Sequence, residues 1–299
     1  MIYEKDTLSG KLLEIDFYPA FNNGNRLPVR EPGRKRSTEE QQKYNRVQAT
    51  KKLIRLVNTN FTEDDFYIHP TFTEENEPAD EKQARKEINN FFRRVKRYRQ
   101  NKLKRLEIQY SYAKDEQKKN PNSKVIQQRV NEIKAEIRQL KKDFKYIYCI
   151  EKVNKWHFHL FMAGGGLTMK EIRTLWGKGR IKGDKYNPQE FGPEAAASYM
   201  GKDPKGRKSF AYSKNLKKPK QPKPKPRAFA RKRYEKMATE LVDDKDYWEK
   251  RHNGYRFLRC YSRQNPYNGH YYISVVMYQN TSSPPQWNIE AEDWLTGDY

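Results

Sequence analysis

Apolar and polar positions along the first half of the chain predict a short list of elements. Lys11–Tyr18 begins mixed and then alternates, which predicts a strand. A polar, basic stretch follows to about Glu40, with Asn23-Gly24, Pro28, Pro32 and Gly33 marking it as loop. Gln41–Asn58 places Val47, Leu53, Ile54 and Val57 on one side of a helix. Asp65–Thr73 is apolar enough for a strand, although Pro70 implies either a bulge or a strand whose inner end begins at Thr71. Glu81 to about Lys114 repeats Ile88, Phe92, Val95, Leu103, Leu106 and Tyr110 as the apolar stripe of a long basic helix. Asn120–Ser123 is a turn ending in a helix cap. The next helix spaces Ile126, Val130, Ile133, Ile137, Leu140 and Phe144 by alternating steps of four and three, a coiled-coil period. The two helices together predict an antiparallel hairpin, with a dimerising coiled coil as the alternative.

In the second half, Tyr146–Glu151 and Trp156–Met162 predict two strands joined by a turn at Lys152–Lys155. Thr168–Trp176 reads as a capped helix, and Gly177–Gly183 as a glycine-rich basic loop leading into a short strand. Those glycines lack the spacing of a P-loop. Pro193–Asp203 is alanine-rich and reads as a helix with Pro193 in its first turn. The Pro219–Pro226 stretch predicts extended polyproline II. Arg231–Leu241 predicts a helix. Tyr255–Arg263 and Tyr271–Gln279 predict two strands, joined near Asn268-Gly269, that pair with the N-terminal strand.

Charge narrows the partners. The 299 residues hold 62 Lys and Arg against 38 Asp and Glu, a formal net charge of +24. An excess of this size points to a polyanion, above all nucleic acid. No apolar run or amphipathic anchor points to a membrane. Lys205–Arg233 is dense in lysine and arginine and contains no acidic residue, so it reads as a phosphate-tracking strap or a solvated linker. Aromatics make up 13% of the chain, which suits base stacking on single strands as well as a core. Met1–Lys5 opens no signal peptide. Cys149 and Cys260 fit no zinc spacing and read as buried strand residues, so a reducing cytoplasm is expected.

Two motifs carry chemistry. His157 and His159 sit two apart on a strand, so both imidazoles share one face while Phe158, Leu160 and Met162 take the other. Paired imidazoles are half of a metal site. Some forty residues on, Tyr199 and Lys202 lie at i and i+3 of the alanine-rich helix, with Ala195 and Ala196 one turn earlier. A strand His-hydrophobe-His followed by a helical Tyr-x-x-Lys resembles the HUH endonucleases that initiate rolling-circle replication. The text around it, Asp203–Lys208, Ser213–Pro219, Gly254–Leu258 and Tyr267–Ile273, is similar to the replication proteins of phages and plasmids of Gram-positive bacteria. The resemblance runs from about Gly10 to Tyr278.

That resemblance implies an α+β fold: a central antiparallel sheet with flanking helices, of the RRM or ferredoxin-like type. The helical hairpin at about 98–143 is then an insertion in a 61–218 core. The remaining parts are an N-terminal strand, loop and helix at 1–60, a basic Pro-rich strap at 219–233, and a C-terminal helix and strands at 234–299 packing on the core. It also implies metal-dependent, site-specific nicking and rejoining of single-stranded DNA through a 5′-phosphotyrosine, initiating rolling-circle DNA replication. Tyr199 would be the nucleophile and Lys202 its helper. His157 and His159 would hold Mn2+ or Mg2+, with Glu151 as third ligand. Glu151 shares their face if it pairs with His157, which needs an odd-length connection such as Val153-Asn154-Lys155. Thr71 and Thr73 match threonines placed near the nick site, and His69 is a further candidate to approach the metal. Arg180, Lys205, Arg207, Lys208, Lys214, Lys217 and Lys218 would contact DNA. The expected partners are single-stranded DNA or an origin hairpin, a separate helicase and a DNA polymerase, in a bacterial host cytoplasm.

Other readings remain. Relaxases and single-strand transposases use the same chemistry. A non-enzymatic nucleic-acid-binding protein explains the charge but not the histidine pair. A metal-free phosphodiesterase needs a second His-x-Thr or His-x-Ser element, for which His69-Pro70-Thr71 alone has the spacing. Tyr186 and Tyr212 are competing nucleophiles without a lysine at i+3.

Overall fold

The computed structural model describes residues 1–19, 39–186, 210–265 and 269–280. Its described residues form an α+β protein with two antiparallel five-stranded sheets in place of one central sheet. They divide into two compact units, 1–60 with 217 onward, and 61–186 with 210–216. No described helix is long and apolar enough to cross a membrane.

The first unit contains β1 (Ile2–Ser9), β2 (Leu12–Pro19), α1 (Glu39–Asn60), β8 (Lys225–Arg227), β9 (Tyr255–Gln264) and β10 (Tyr271–Gln279), in the sheet order β8-β1-β2-β10-β9. The C-terminal strands pair with β2 through β10, from Ile273↔Phe17 to Tyr278↔Leu12. They build this separate sheet and add no strand to the sheet of the histidines. Leu13, Ile15 and Phe17 alternate inward and bury with Trp248, Val275 and Met277 under the helices Arg231–Thr239 and Lys245–Arg251. Burial lifts the Cys260 thiol to about 12, as suits an inert small hydrophobe. β1 escaped the pattern analysis because Glu4, Lys5 and Asp6 interrupt its alternation. Glu4 is buried nevertheless, held by Arg227 at 2.8 and 2.9 Å and by Arg251 at 2.8 Å.

The same contacts correct the free strap. Lys220 exchanges backbone hydrogen bonds with Leu8, and Lys225–Arg227 pair with Ile2–Glu4. The Pro-rich segment thus lies along the outer edge of β1. A proline-rich strand suits an edge, because it cannot extend the ladder further.

The second unit contains β3 (Phe66–Pro70), α2 (Glu81–Lys119), α3 (Lys124–Lys141), β4 (Tyr146–Lys152), β5 (Trp156–Met162), α4 (Met169–Trp176), β6 (Ile181–Lys185) and β7 (Ala211–Tyr212), in the order β6-β3-β5-β4-β7. One face of this sheet packs Ile68, Tyr148, Phe158 and Leu160 against Ile88, Phe92 and Val95 of α2 and Ile172 and Trp176 of α4. α4 starts at a full capping box, Thr168 with Glu171, and ends at Gly177 in the left-handed conformation. α2 and α3 form the expected hairpin. Leu106, Ala113, Val130, Ile133 and Leu140 bury between them, and Ser123 caps α3. Phe144 of the repeat lies beyond the helix end at Lys141.

Candidate metal centre

The face of the second sheet opposite its core carries the histidines. β4 and β5 pair with Glu151↔His157 and Cys149↔His159, across a three-residue connection, Val153–Lys155. The odd length gives Glu151 the parity of both histidines. Glu151 Oε2 lies 3.4 Å from His157 Nε2 and 3.5 Å from His159 Nε2. One ligand atom from each of the three residues falls within 4.8 Å of the others.

Donor chemistry tests whether these residues suit a metal ion. His157 Nδ1 is 3.2 Å from the Lys155 carbonyl. A carbonyl only accepts, so Nδ1 carries the proton and the Nε2 lone pair faces Glu151 in the neutral ring. His159 Nδ1 is 3.5 Å from the Tyr67 hydroxyl, which leaves its Nε2 on the same side. Burial, with help from His69 and His157, lowers the His159 pKa to about 3, so at neutral pH the ring offers a lone pair. Two imidazole Nε2 atoms and a carboxylate converging on one point suit a cation. Two groups about 2.1 Å from a shared ion stand roughly 3.0–3.5 Å apart, which is the separation of the Glu151 oxygen from each imidazole. Glu151 Oε1 is buried and has no hydrogen-bond partner among the described residues. The three residues could therefore hold a metal ion, through two imidazole nitrogens and one carboxylate oxygen.

Sequence reasoning gave His69 little weight, yet the structure sets its ring against that of His159. β3 pairs with β5 from Phe66↔Met162 to Ile68↔Leu160, and Thr71↔His157 continues the same register as an isolated bridge. The ladder lapses between Ile68 and Thr71 because Pro70 has no N–H to donate. It neither bulges nor restarts. His69 thus comes beside His159, with ring centroids 4.6 Å apart and planes at 89°. Burial, His157 and Lys182 all push its pKa down. Tyr67, which sequence reasoning missed, closes the group. It stacks on Phe161 at 4.4 Å and meets His69 edge-on at 4.7 Å. Alternation along β3 was the available signal, and the proline obscured it. The acidic stretch after β3 also has a role, since Glu77 accepts from the Trp156 N–H at 2.8 Å and anchors the start of β5.

No protein-family model, curated protein or solved structure matches this chain.

The other predicted site residues divide as follows. Thr71 lies beside His157, and its N–H and hydroxyl both donate to the Arg180 carbonyl, at 2.8 and 2.9 Å. Arg180 therefore adjoins the site, with its side chain exposed. Thr73 stands at the N-terminus of the short 3-10 helix Glu74–Asn76, and its hydroxyl accepts from the Asn76 side-chain amide at 2.8 Å. Lys214 is exposed in the second unit, and Lys217 and Lys218 are exposed in the first. Tyr186 is buried, 2% exposed, against Phe161, which removes it as a nucleophile in this conformation. Tyr212 is 43% exposed on the edge strand β7. Tyr199, Lys202, Lys205, Arg207 and Lys208 lie outside the described residues.

Proposed function

We propose that this protein is a metal-dependent endonuclease that nicks and rejoins single-stranded DNA through a tyrosine, in the manner of a rolling-circle replication initiator. The observation that carries the reading is the convergence of Glu151, His157 and His159 on one point of a sheet face. The +24 charge of the chain, which favours a polyanionic substrate, adds to it. So does the similarity of Tyr199-x-x-Lys202 to the nucleophile helix of that family.

When bound, a divalent ion supplies Lewis-acid polarisation of the scissile phosphate. Glu151, His157 and His159 would hold it. The Lys155 carbonyl and Tyr67 fix which ring nitrogen each histidine presents. Thr71, which lies beside His157, and the exposed Arg180, whose carbonyl Thr71 bonds, would be available to contact the strand. The Tyr199 oxygen forms the new bond to phosphorus as the 3′-oxygen leaves, giving a 5′-phosphotyrosine and a free 3′-hydroxyl. Free tyrosine has a pKa near 10, so Lys202 one turn away serves to favour the phenolate. The phosphodiester energy stays in the covalent bond, and a later hydroxyl can reverse the step.

The test is cleavage of single-stranded DNA with Mn2+, with EDTA, and by His157→Ala and Glu151→Gln. The proposal expects cleavage only with metal and severe loss in both variants. One observation favours a second reading, a metal-free phosphodiesterase: His69-Pro70-Thr71 faces His157 and His159 on the adjacent strand. Cleavage that persists in EDTA and is lost in His69→Ala would support that reading instead.

A further inference from the structure

We infer that the outward face of α2 is a binding surface for double-stranded DNA, separate from the nicking centre. The inference rests on the reading of the protein as a DNA enzyme. It starts from the distribution of charge on one helix. From Asn89 to Leu106, α2 contains eight lysines and arginines and no acidic residue. Three of these cations have structural work. Arg94 donates to the last carbonyls of α4, Leu175 and Trp176, at 2.8 and 3.0 Å. Arg99 is buried and donates to Leu140 and Lys142 at the end of α3, at 3.0 and 2.7 Å. Lys102 bonds the Gly166 carbonyl and Glu171, each at 2.9 Å.

The other five, Arg93, Lys96, Arg97, Lys104 and Arg105, are exposed. Arg93, Arg97 and Lys104 are spaced by four and seven residues, so they form one stripe along the helix. Ion pairs within the hairpin neutralise other positions. Lys118–Asp115, Arg129–Glu116 and Lys141–Glu107 all lie beyond this stretch. Among the described residues, Arg93, Arg97 and Lys104 make no ion pair; Arg93 reaches only the Asn90 amide, at 3.3 Å. Gln100 and Asn101 sit exposed between the cations and offer donors and acceptors.

The shape favours a duplex over a single strand. α2 has 39 residues, about 58 Å of straight helix. A rigid row of cations with fixed spacing matches the fixed phosphates of a duplex, whose major groove admits an α-helix. Single strands are held by exposed aromatic platforms. Between Arg93 and Arg105 the only aromatic is Tyr98, which is engaged with Glu171 at 2.7 Å.

The experiment is duplex binding by the full-length protein in EDTA, where cleavage plays no part, measured against salt. The variant R93Q/R97Q/K104Q alters only exposed side chains, and circular dichroism checks that its helix content is kept. Each phosphate contact on B-DNA contributes about −0.9 to the slope of log K against log salt, so the variant's slope should be shallower by roughly 2 to 3. A control on the other helix, K124Q/K134Q/R138Q, also exposed, should leave the slope as in the wild type. An unchanged slope in the α2 variant overturns the inference. An equal change in the α3 control reduces it to net charge and also overturns it, and an equal loss on an unpaired oligonucleotide overturns the preference for duplex. A wild-type protein that never cleaves DNA yet shows the expected slope change would refute the nicking proposal and leave this surface standing.

Discussion

Glu151 is the residue on which the proposed metal centre depends, because it alone brings a carboxylate to the two imidazoles. Glu151→Gln keeps the shape and removes the carboxylate. It should weaken Mn2+ binding by on the order of 100-fold in calorimetric titration. Saturating Mn2+ should raise the melting temperature of the wild type, since an ion that binds only the folded state stabilises it by about 2.7 kcal/mol at 100 times its dissociation constant. The variant should show no such rise. A second residue-scale prediction concerns His252, far from this chemistry in sequence. Burial first and Arg251 next lower its pKa to about 4. The unfolded chain then binds the proton more readily, so stability is intact above pH 6.5 and falls as pH drops towards 4. The slope is at most about 1.4 kcal/mol per pH unit. Urea denaturation at pH 7.5 and pH 5 should show this loss for the wild type and a smaller one for His252→Gln. The shared face of His157, His159 and Glu151 was legible in the sequence because strand parity is a strict rule. Tyr67 and His69 obey the same rule on β3, but Pro70 made that strand look broken.

Among the elements, the Val153–Lys155 connection sets the site. Deleting Asn154 leaves an even-length turn, which turns Glu151 to the other face of the sheet or shifts β4 against β5. Mn2+ binding should disappear while far-UV circular dichroism changes little; retained binding would show that Glu151 is not a ligand. Gly183 on β6 has a similar role for β3. It sits at φ +93, and a Cβ there would stand 2.4 Å from the Tyr67 carbonyl oxygen. Gly183→Ala should therefore destabilise the fold and weaken metal binding through Tyr67 and His69, as thermal melts and titration would show. The cap of α4 is independent of the site, and Thr168→Ala should cost about 1 kcal/mol without altering metal affinity. The hairpin of α2 and α3 was readable from its heptad-like spacing and its capped turn. β1 was not, since its buried Glu4 is explained only by Arg227 and Arg251, which lie more than two hundred residues away in the chain.

At the scale of the whole molecule, charge and composition favour a polyanionic partner as a proposal, and they say nothing of how the chain is divided. The pairing of β10 with β2, and of Lys225–Arg227 with β1, joins the two ends of the sequence in one unit. Local patterning reveals that two stretches are strands, not that they belong to a second sheet. Because the Pro-rich segment covers an edge, deleting it would expose β1; exchanging Lys218, Lys220, Lys223 and Lys225 for glutamine keeps the backbone pairing. On single-stranded DNA this variant should lose about 0.7 of salt slope for each lysine that contacts a phosphate. An unchanged slope would make the segment purely structural. The central claim is that Tyr199 and the metal centre act together on one strand, and the most direct measurement is peptide mapping of the protein–DNA adduct. Wild-type protein given random-sequence single-stranded oligonucleotides and Mn2+ should form an adduct that survives denaturation, is absent in EDTA, and carries the 5′ end of the downstream fragment on the Tyr199 peptide. Tyr199→Phe should form none while binding Mn2+ as before. An adduct on Tyr212, or full adduct formation by Tyr199→Phe, would contradict the account.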